Sequence, residues 1–150
     1  MTFFRHACLI LSISLTTMSF ANQSVLGHWQ TIDHKTNQPS SIVKISKKND
    51  RFTGQIVKIF EENGHLTTDK CVKCKGRLFN QPMLGMDILH FKLSPEGKVY
   101  DCTVLDPNKG SVYHCTLGLH ENGQILHLRG YVGISLLGRT DNWIRVNPKK

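Results

Sequence analysis

The sequence predicts an all-β fold, a sandwich or barrel of about eight short antiparallel strands with one irregular insertion loop. Runs rich in β-branched and aromatic residues recur about every ten residues, divided by Gly, Asn, Asp or Pro. No stretch carries the 3.6-residue apolar period of a long amphipathic helix. Two hairpin signatures, "LDPNKGS" and "HENGQ", flank central strands whose apolar residues alternate in phase.

Ahead of the first strand, Arg5 and His6 precede the apolar run Ala7 to Leu15, and "SFA" ends on a small-x-small pattern suited to cleavage after Ala21. Residues 1–21 therefore read as a signal peptide and residues 22–150 as a single domain. Broken by Ser12, Ser14, Thr16 and Thr17, the apolar run falls short of the roughly 20 residues a spanning helix needs. The processed chain is expected not to cross a membrane and to be periplasmic or secreted. Cleavage leaves 129 of the 150 residues and removes only Arg5 among the charged ones, so 18 Lys and Arg face 11 acids, a net charge of +7. That balance suits an anionic surface as a partner. No long basic block or aromatic-interleaved motif points to specific nucleic-acid recognition.

In chain order, strands are predicted over His28–Ile32, Ser41–Ser46, Phe52–Phe60 and Asp87–Leu93, then Lys98–Leu105, Val112–Leu119, Ile125–Val132 and Asn142–Val146. The polar stretch Glu61 to Pro82 breaks the rhythm as the insertion, and "ISLLG" suits one helical turn. Pro107 and Gly110 fit the fixed and left-handed positions of a four-residue loop, which sets Asp106 opposite Ser111 and, counting outward, Cys102 opposite Cys115. The type I′ pair Asn122-Gly123 sets Leu119 against Leu126 and Leu117 against Leu128.

Alternation then places Tyr100, Cys102, Val104, Tyr113, Cys115, Leu117, Leu119, Leu126, Leu128 and Gly130 on one apolar face. The opposite face, from Asp101 through Leu105, His114 and His127 to Tyr131, is mixed and expected to be wet. A slip by one residue would expose four leucines at about 1.5 to 3 kcal/mol each, so the register is strongly specified.

Four cysteines follow the leader, and an even count in an exported chain points to disulfides. A bond from Cys102 to Cys115 would span the hairpin directly and leave Cys71 and Cys74 to each other, pinning the insertion. A zinc site would need two close pairs, and the second pair is too widely spaced. A dithiol redox centre remains open, because Lys70, Lys73, Lys75 and Arg77 would favour a thiolate, although no strand leads into the motif. Neither HExxH nor GxSxG occurs, so no metal, cofactor or catalytic residue is expected.

"GHWQT" near the mature start and "TDNWIRV" near the end resemble the lipocalin and calycin pattern, in which Trp29 lies at the sealed end of a barrel and a late Arg packs over its indole. Arg145 is the first candidate for that arginine and Arg139 the second. In order, "GHWQTIDHKTNQPSSIVKI", "CVKCKGRLFNQPMLGM", "LDPNKGSVYHC" and "LRGYVGISLLGRTDNWIRV" resemble the DUF2147 family of uncharacterised exported bacterial proteins across nearly the whole mature chain. The resemblance implies a small lipocalin-like barrel and supplies no catalytic residues. It departs at Asp101-Cys102, where the family often carries Gly-Gly, which leaves open a pairing of Cys115 with the loop cysteines.

Three functions fit. The first is a non-enzymatic carrier whose Tyr100, Val104, Tyr113, Leu117, Leu119, Leu126 and Leu128 line a pocket for a small hydrophobic or amphipathic molecule. In the second, Cys71 and Cys74 act in thiol-disulfide exchange. In the third, a basic exterior adheres to an envelope or host surface. For recognition, the insertion and its neighbours Met83 and Met86 are the expected place.

Overall fold

Turn chemistry sets the register, and the register closes the sheet. The computed structural model describes residues 24–60 and 70–147. Its eight strands are β1 (Gly27–Ile32), β2 (Pro39–Lys48), β3 (Arg51–Ile59), β4 (Asp87–Leu93), β5 (Val99–Asp106), β6 (Ser111–His120), β7 (Ile125–Tyr131) and β8 (Arg139–Val146). Each pairs antiparallel with its sequence neighbours, and β8 returns to β1 through Trp29↔Arg145 and His28↔Val146, so the fold is a closed barrel and not a sandwich. The predicted signal peptide and residues 61–69 of the insertion lie outside the described residues. No helix among the described residues is long and apolar enough to cross a membrane.

Both central hairpins take the expected register. Asp106 pairs with Ser111, Leu117 with Leu128 and Leu119 with Leu126. In the first turn Gly110 is left-handed at φ 67, and the Asp106 carboxylate accepts the backbone N–H groups of Asn108 and Lys109 at 3.0 and 3.2 Å. In the second, Asn122 and Gly123 both have positive φ, the type I′ condition, and the Gln124 N–H closes onto the Glu121 carbonyl at 3.0 Å. "ISLLG" makes a single 3-10 turn, Ser135–Leu137.

The inward positions build one core. Trp29, Val43, Ile45, Leu89, Phe91 and Leu126 have essentially no solvent contact, and Phe52 stacks on Phe91 with ring centroids 4.8 Å apart. Outward positions carry Lys44, Gln55 and Thr116, all exposed. Apolar inside and polar outside is the reverse of a membrane-spanning barrel.

Two positions of β5 differ from the surroundings expected for them. Tyr100, expected on the inner face, points outward and is 48% exposed. Asp101 has φ 55, and the pairing jumps from His90↔Thr103 to Lys92↔Tyr100. Asp101 and Cys102 thus stand together against Phe91 as a β-bulge that reverses the phase of the strand. Leu105, outward by alternation and expected to be wet, is buried, because the described part of the insertion, around Cys74 and Leu78, lies over it.

One end of the barrel is sealed. The Arg145 guanidinium sits 4.2 Å from the Trp29 ring centroid, and its N–H groups donate to the carbonyls of Gly123, Leu26 and Ser24 at 2.6, 2.9 and 2.5 Å. Burial lowers the Arg145 pKa from its ordinary value, and the surrounding carbonyls and aromatic face still suit the cation. Gly27 leaves room for it, since a Cβ there would lie 2.9 Å from Arg145 Nη1. Trp29 Nε1 donates to the Val25 carbonyl at 2.9 Å, which satisfies the buried indole.

Candidate functional site

The other end, the mouth, gathers the connections β1–β2, β3–β4, β5–β6 and β7–β8, and there residues 70–82 of the insertion fold into a compact flap. Cys71 is disulfide-bonded to Cys74, the Cys71 N–H donates to the Gln81 carbonyl at 2.8 Å, and the Asn80 N–H returns to the Cys71 carbonyl at 2.9 Å. A bridge from Lys70 to Pro82 closes the base of the flap, and Gly76–Leu78 forms a short 3-10 turn. Both sulfurs are buried, Cys71 completely.

The flap rests on the β5–β6 hairpin. Cys71 Sγ lies 3.2 Å from the Pro107 carbonyl oxygen. Gly110 meets the Lys73 backbone so closely that a Cβ would overlap its carbonyl, so glycine is required there for space as well as for φ. Beneath the flap, Leu105 joins the same buried cluster as Cys71 and Cys74.

This docking leaves a cleft of about 650 Å³, open to solvent, between the flap, the β5–β6 hairpin and the start of the β7–β8 loop. Lys73, Lys75 and Lys109 lie along it with Leu78, Leu105 and Val132. Cations and apolar side chains thus share one cleft, an arrangement that suits a molecule with an anionic head and an apolar body. A second groove of about 650 Å³ runs along the other flank of the flap, past Arg77, Leu84, Met86 and His90.

The barrel interior differs in chemistry. Its sealed half is filled by Trp29, Trp143, Phe52 and Phe91 together with Leu126 and Leu128. Toward the mouth the inward face turns polar: Thr31 and Ser41 share a hydrogen bond of 2.8 Å, and Asp141 contacts His34 Nε2 at 2.8 Å and Arg139 Nε at 3.2 Å. An apolar ligand entering from the mouth would have to pass these groups, at a desolvation cost.

Of the residues predicted to line a pocket, Leu126 and Leu128 are buried in this core, and Val104, Leu117 and Leu119 pack partly buried against it. Tyr113 reaches the rim of the cleft beside the flap. Tyr100 stands outside the barrel. Cys102 and Cys115 are joined across β5 and β6 with Cα atoms 5.0 Å apart. Trp29 and Arg145 meet at the seal. Lys109, Leu105 and Val132 escaped the sequence reading as cleft residues, although Gly110 beside Lys109 marked a turn able to accept close backbone approach. Among the described residues, no group of three or more His, Cys, Asp and Glu side chains gathers as a metal site.

An eight-stranded closed meander with an arginine-sealed base defines a lipocalin-like barrel. A solved structure of comparable shape is that of protein HP1028 from the human pathogen Helicobacter pylori, described as belonging to the lipocalin family; its TM-score is 0.69 at 18% identity, covering 84% of this chain and 85% of that one. No curated protein matches the chain. By sequence the chain belongs to the family described as an uncharacterized protein conserved in bacteria (DUF2147), whose model matches residues 27–145.

Proposed function

We propose that this protein is an exported, non-enzymatic binding module that takes an amphipathic anion in the cleft beside its disulfide-closed flap. The observation that carries the reading is the convergence of Lys73, Lys75 and Lys109 with Leu78, Leu105 and Val132 around one opening of about 650 Å³, a size that suits a small ligand. The fold shared with a lipocalin-family protein supports binding over chemistry. Two disulfides support an oxidising compartment, periplasmic or extracellular. The burial of both flap sulfurs supports a strut at Cys71-Cys74 over an exchange centre, which needs an accessible sulfur. Compared with a pocket in the barrel axis, the cleft needs neither displacement of packed aromatic rings nor passage across the polar mouth.

Titration with a fluorescent fatty acid, and with the corresponding uncharged alcohol, tests the reading. The acid is expected to bind more tightly than the alcohol, and K73Q, K75Q and K109Q combined to weaken it about tenfold, as three solvated contacts of a few tenths of a kcal/mol each imply. No uptake of either probe, or equal binding by the triple variant, rejects the cleft.

A further inference from the structure

The β7–β8 loop departs from the chemistry of an exposed loop. Its sequence from Val132 to Gly138, "VGISLLG", carries no charge, and Val132, Ile134, Leu136 and Leu137 are 69%, 59%, 83% and 80% exposed. Loop tips that face only water are ordinarily polar, and apolar groups clustered on a surface mark contact sites.

This exposure is built. Arg129 reaches out from β7 and donates from Nε to the Ser135 carbonyl at 2.7 Å, from Nη2 to the Leu136 carbonyl at 3.1 Å and from Nη1 to Thr140 Oγ1 at 3.1 Å. Backbone bonds from Leu137 to Ile134 and from Gly138 to Ser135 tighten the turn. Two loop carbonyls are satisfied by Arg129 while the leucine side chains are held outward.

The flap adds Phe79 and Leu84, both more than half exposed, at the same end of the barrel. Lys73, Lys75, Arg77 and Lys109 stand among these apolar groups. Each described carboxylate at this end has an internal partner: Asp33 accepts from the Lys35 and Thr36 N–H groups, Asp87 from Gln55, Asp106 from Asn108 and Lys109, and Asp141 contacts His34 and Arg139. An apolar tip that shares its end of the barrel with these cations complements one partner above others, a bilayer surface with anionic headgroups, where shallow burial of leucines and attraction to phosphate act together.

We infer that the mouth end docks on anionic lipid bilayers, with Ile134, Leu136 and Leu137 entering the headgroup layer and the surrounding lysines and arginines meeting lipid phosphates. This goes beyond the cleft proposal: it shares Lys73, Lys75 and Lys109 with it, but its apolar anchor, Ile134, Leu136 and Leu137, lies outside the cleft lining, so loss of fatty-acid binding and loss of bilayer binding are separable.

Flotation of the chain beginning at Asn22 tests it, with vesicles of phosphatidylcholine alone and of phosphatidylcholine containing one quarter phosphatidylglycerol. Binding is expected to the mixed vesicles, to weaken as salt rises, and to fall about tenfold or more in the double variant L136S/L137S. F79S, on the separate flap, is expected to weaken binding by a smaller factor. Retention of the native thermal midpoint in both variants keeps the comparison to surface chemistry. Absence of flotation, equal binding to both vesicle types, or binding unaffected by the leucine substitutions overturns the inference. So does a dimer in sedimentation that L136S/L137S dissolves, since a second copy would then be what covers the tip.

Discussion

The two ends of this barrel are made from the same alternating strands yet treat their exposed backbone in opposite ways. At the sealed end the turns are short, and one arginine satisfies three carbonyls from two separate segments while covering an indole. At the mouth another arginine, Arg129, also satisfies loop carbonyls, but it holds leucines out toward solvent. The contrast teaches that one device, a guanidinium forking onto backbone oxygens, serves closure when an aromatic ring lies beneath it and display when the loop side chains face away.

The largest effect is expected from breaking the seal. R145A leaves three carbonyls without their charged donor and uncovers Trp29, at a cost of about 3 to 4 kcal/mol in chemical unfolding. A loss below about 1 kcal/mol would show that the base does not hold the barrel closed.

The two disulfides sharpen the comparison next. Replacing Cys102 and Cys115 together by Ser removes a cross-link spanning 13 residues in sequence within the strand ladder and is expected to cost about 3 kcal/mol of global stability. Replacing Cys71 and Cys74 together, separated by only 3, is expected to leave the unfolding midpoint nearly in place. Its expected signature is faster amide exchange confined to the flap and weaker fatty-acid binding. Equal global losses from both pairs would mean that flap and barrel unfold as one unit.

The smallest effect comes from acid. At the sealed end, the Lys92 side chain bonds the exposed Asp50 carboxylate and holds its pKa below the ordinary carboxylate value; at the mouth, the Thr36 N–H does the same for Asp33. A lowered folded-state pKa gives stabilisation that is full above the unfolded value and is lost as pH falls through the folded one. A slight loss of stability is therefore expected only below about pH 4, smaller in high salt for Asp50. D50N should remove part of that acid dependence without changing the midpoint at pH 7 by a resolvable amount.

Where local chemistry determines conformation, the fold was legible in the sequence. Asn122-Gly123 and Pro107 with Gly110 dictated turn types, the turns dictated register, and register placed Cys102 against Cys115. Tyr100 was misplaced because the bulge beside it rests on an aspartate at φ 55, a conformation for which glycine or asparagine is the readable signal. The cleft was only partly legible. "CVKCKGR" marked a cationic, cross-linked insertion, but its seat on Leu105 and Gly110 brings together segments some thirty residues apart, an apposition that no local pattern encodes. Leu105 shows the limit most plainly, since alternation sent it outward and only the flap buried it.

The pairing of β1 with β8 has a directional consequence. His28 lies beside Val146, and Ser24 is held by Arg145, so both termini of the described chain leave from the sealed pole. Any anchor, fusion partner or surface linkage joined to either terminus is therefore attached opposite the flap and the leucine tip, leaving that pole free to face outward.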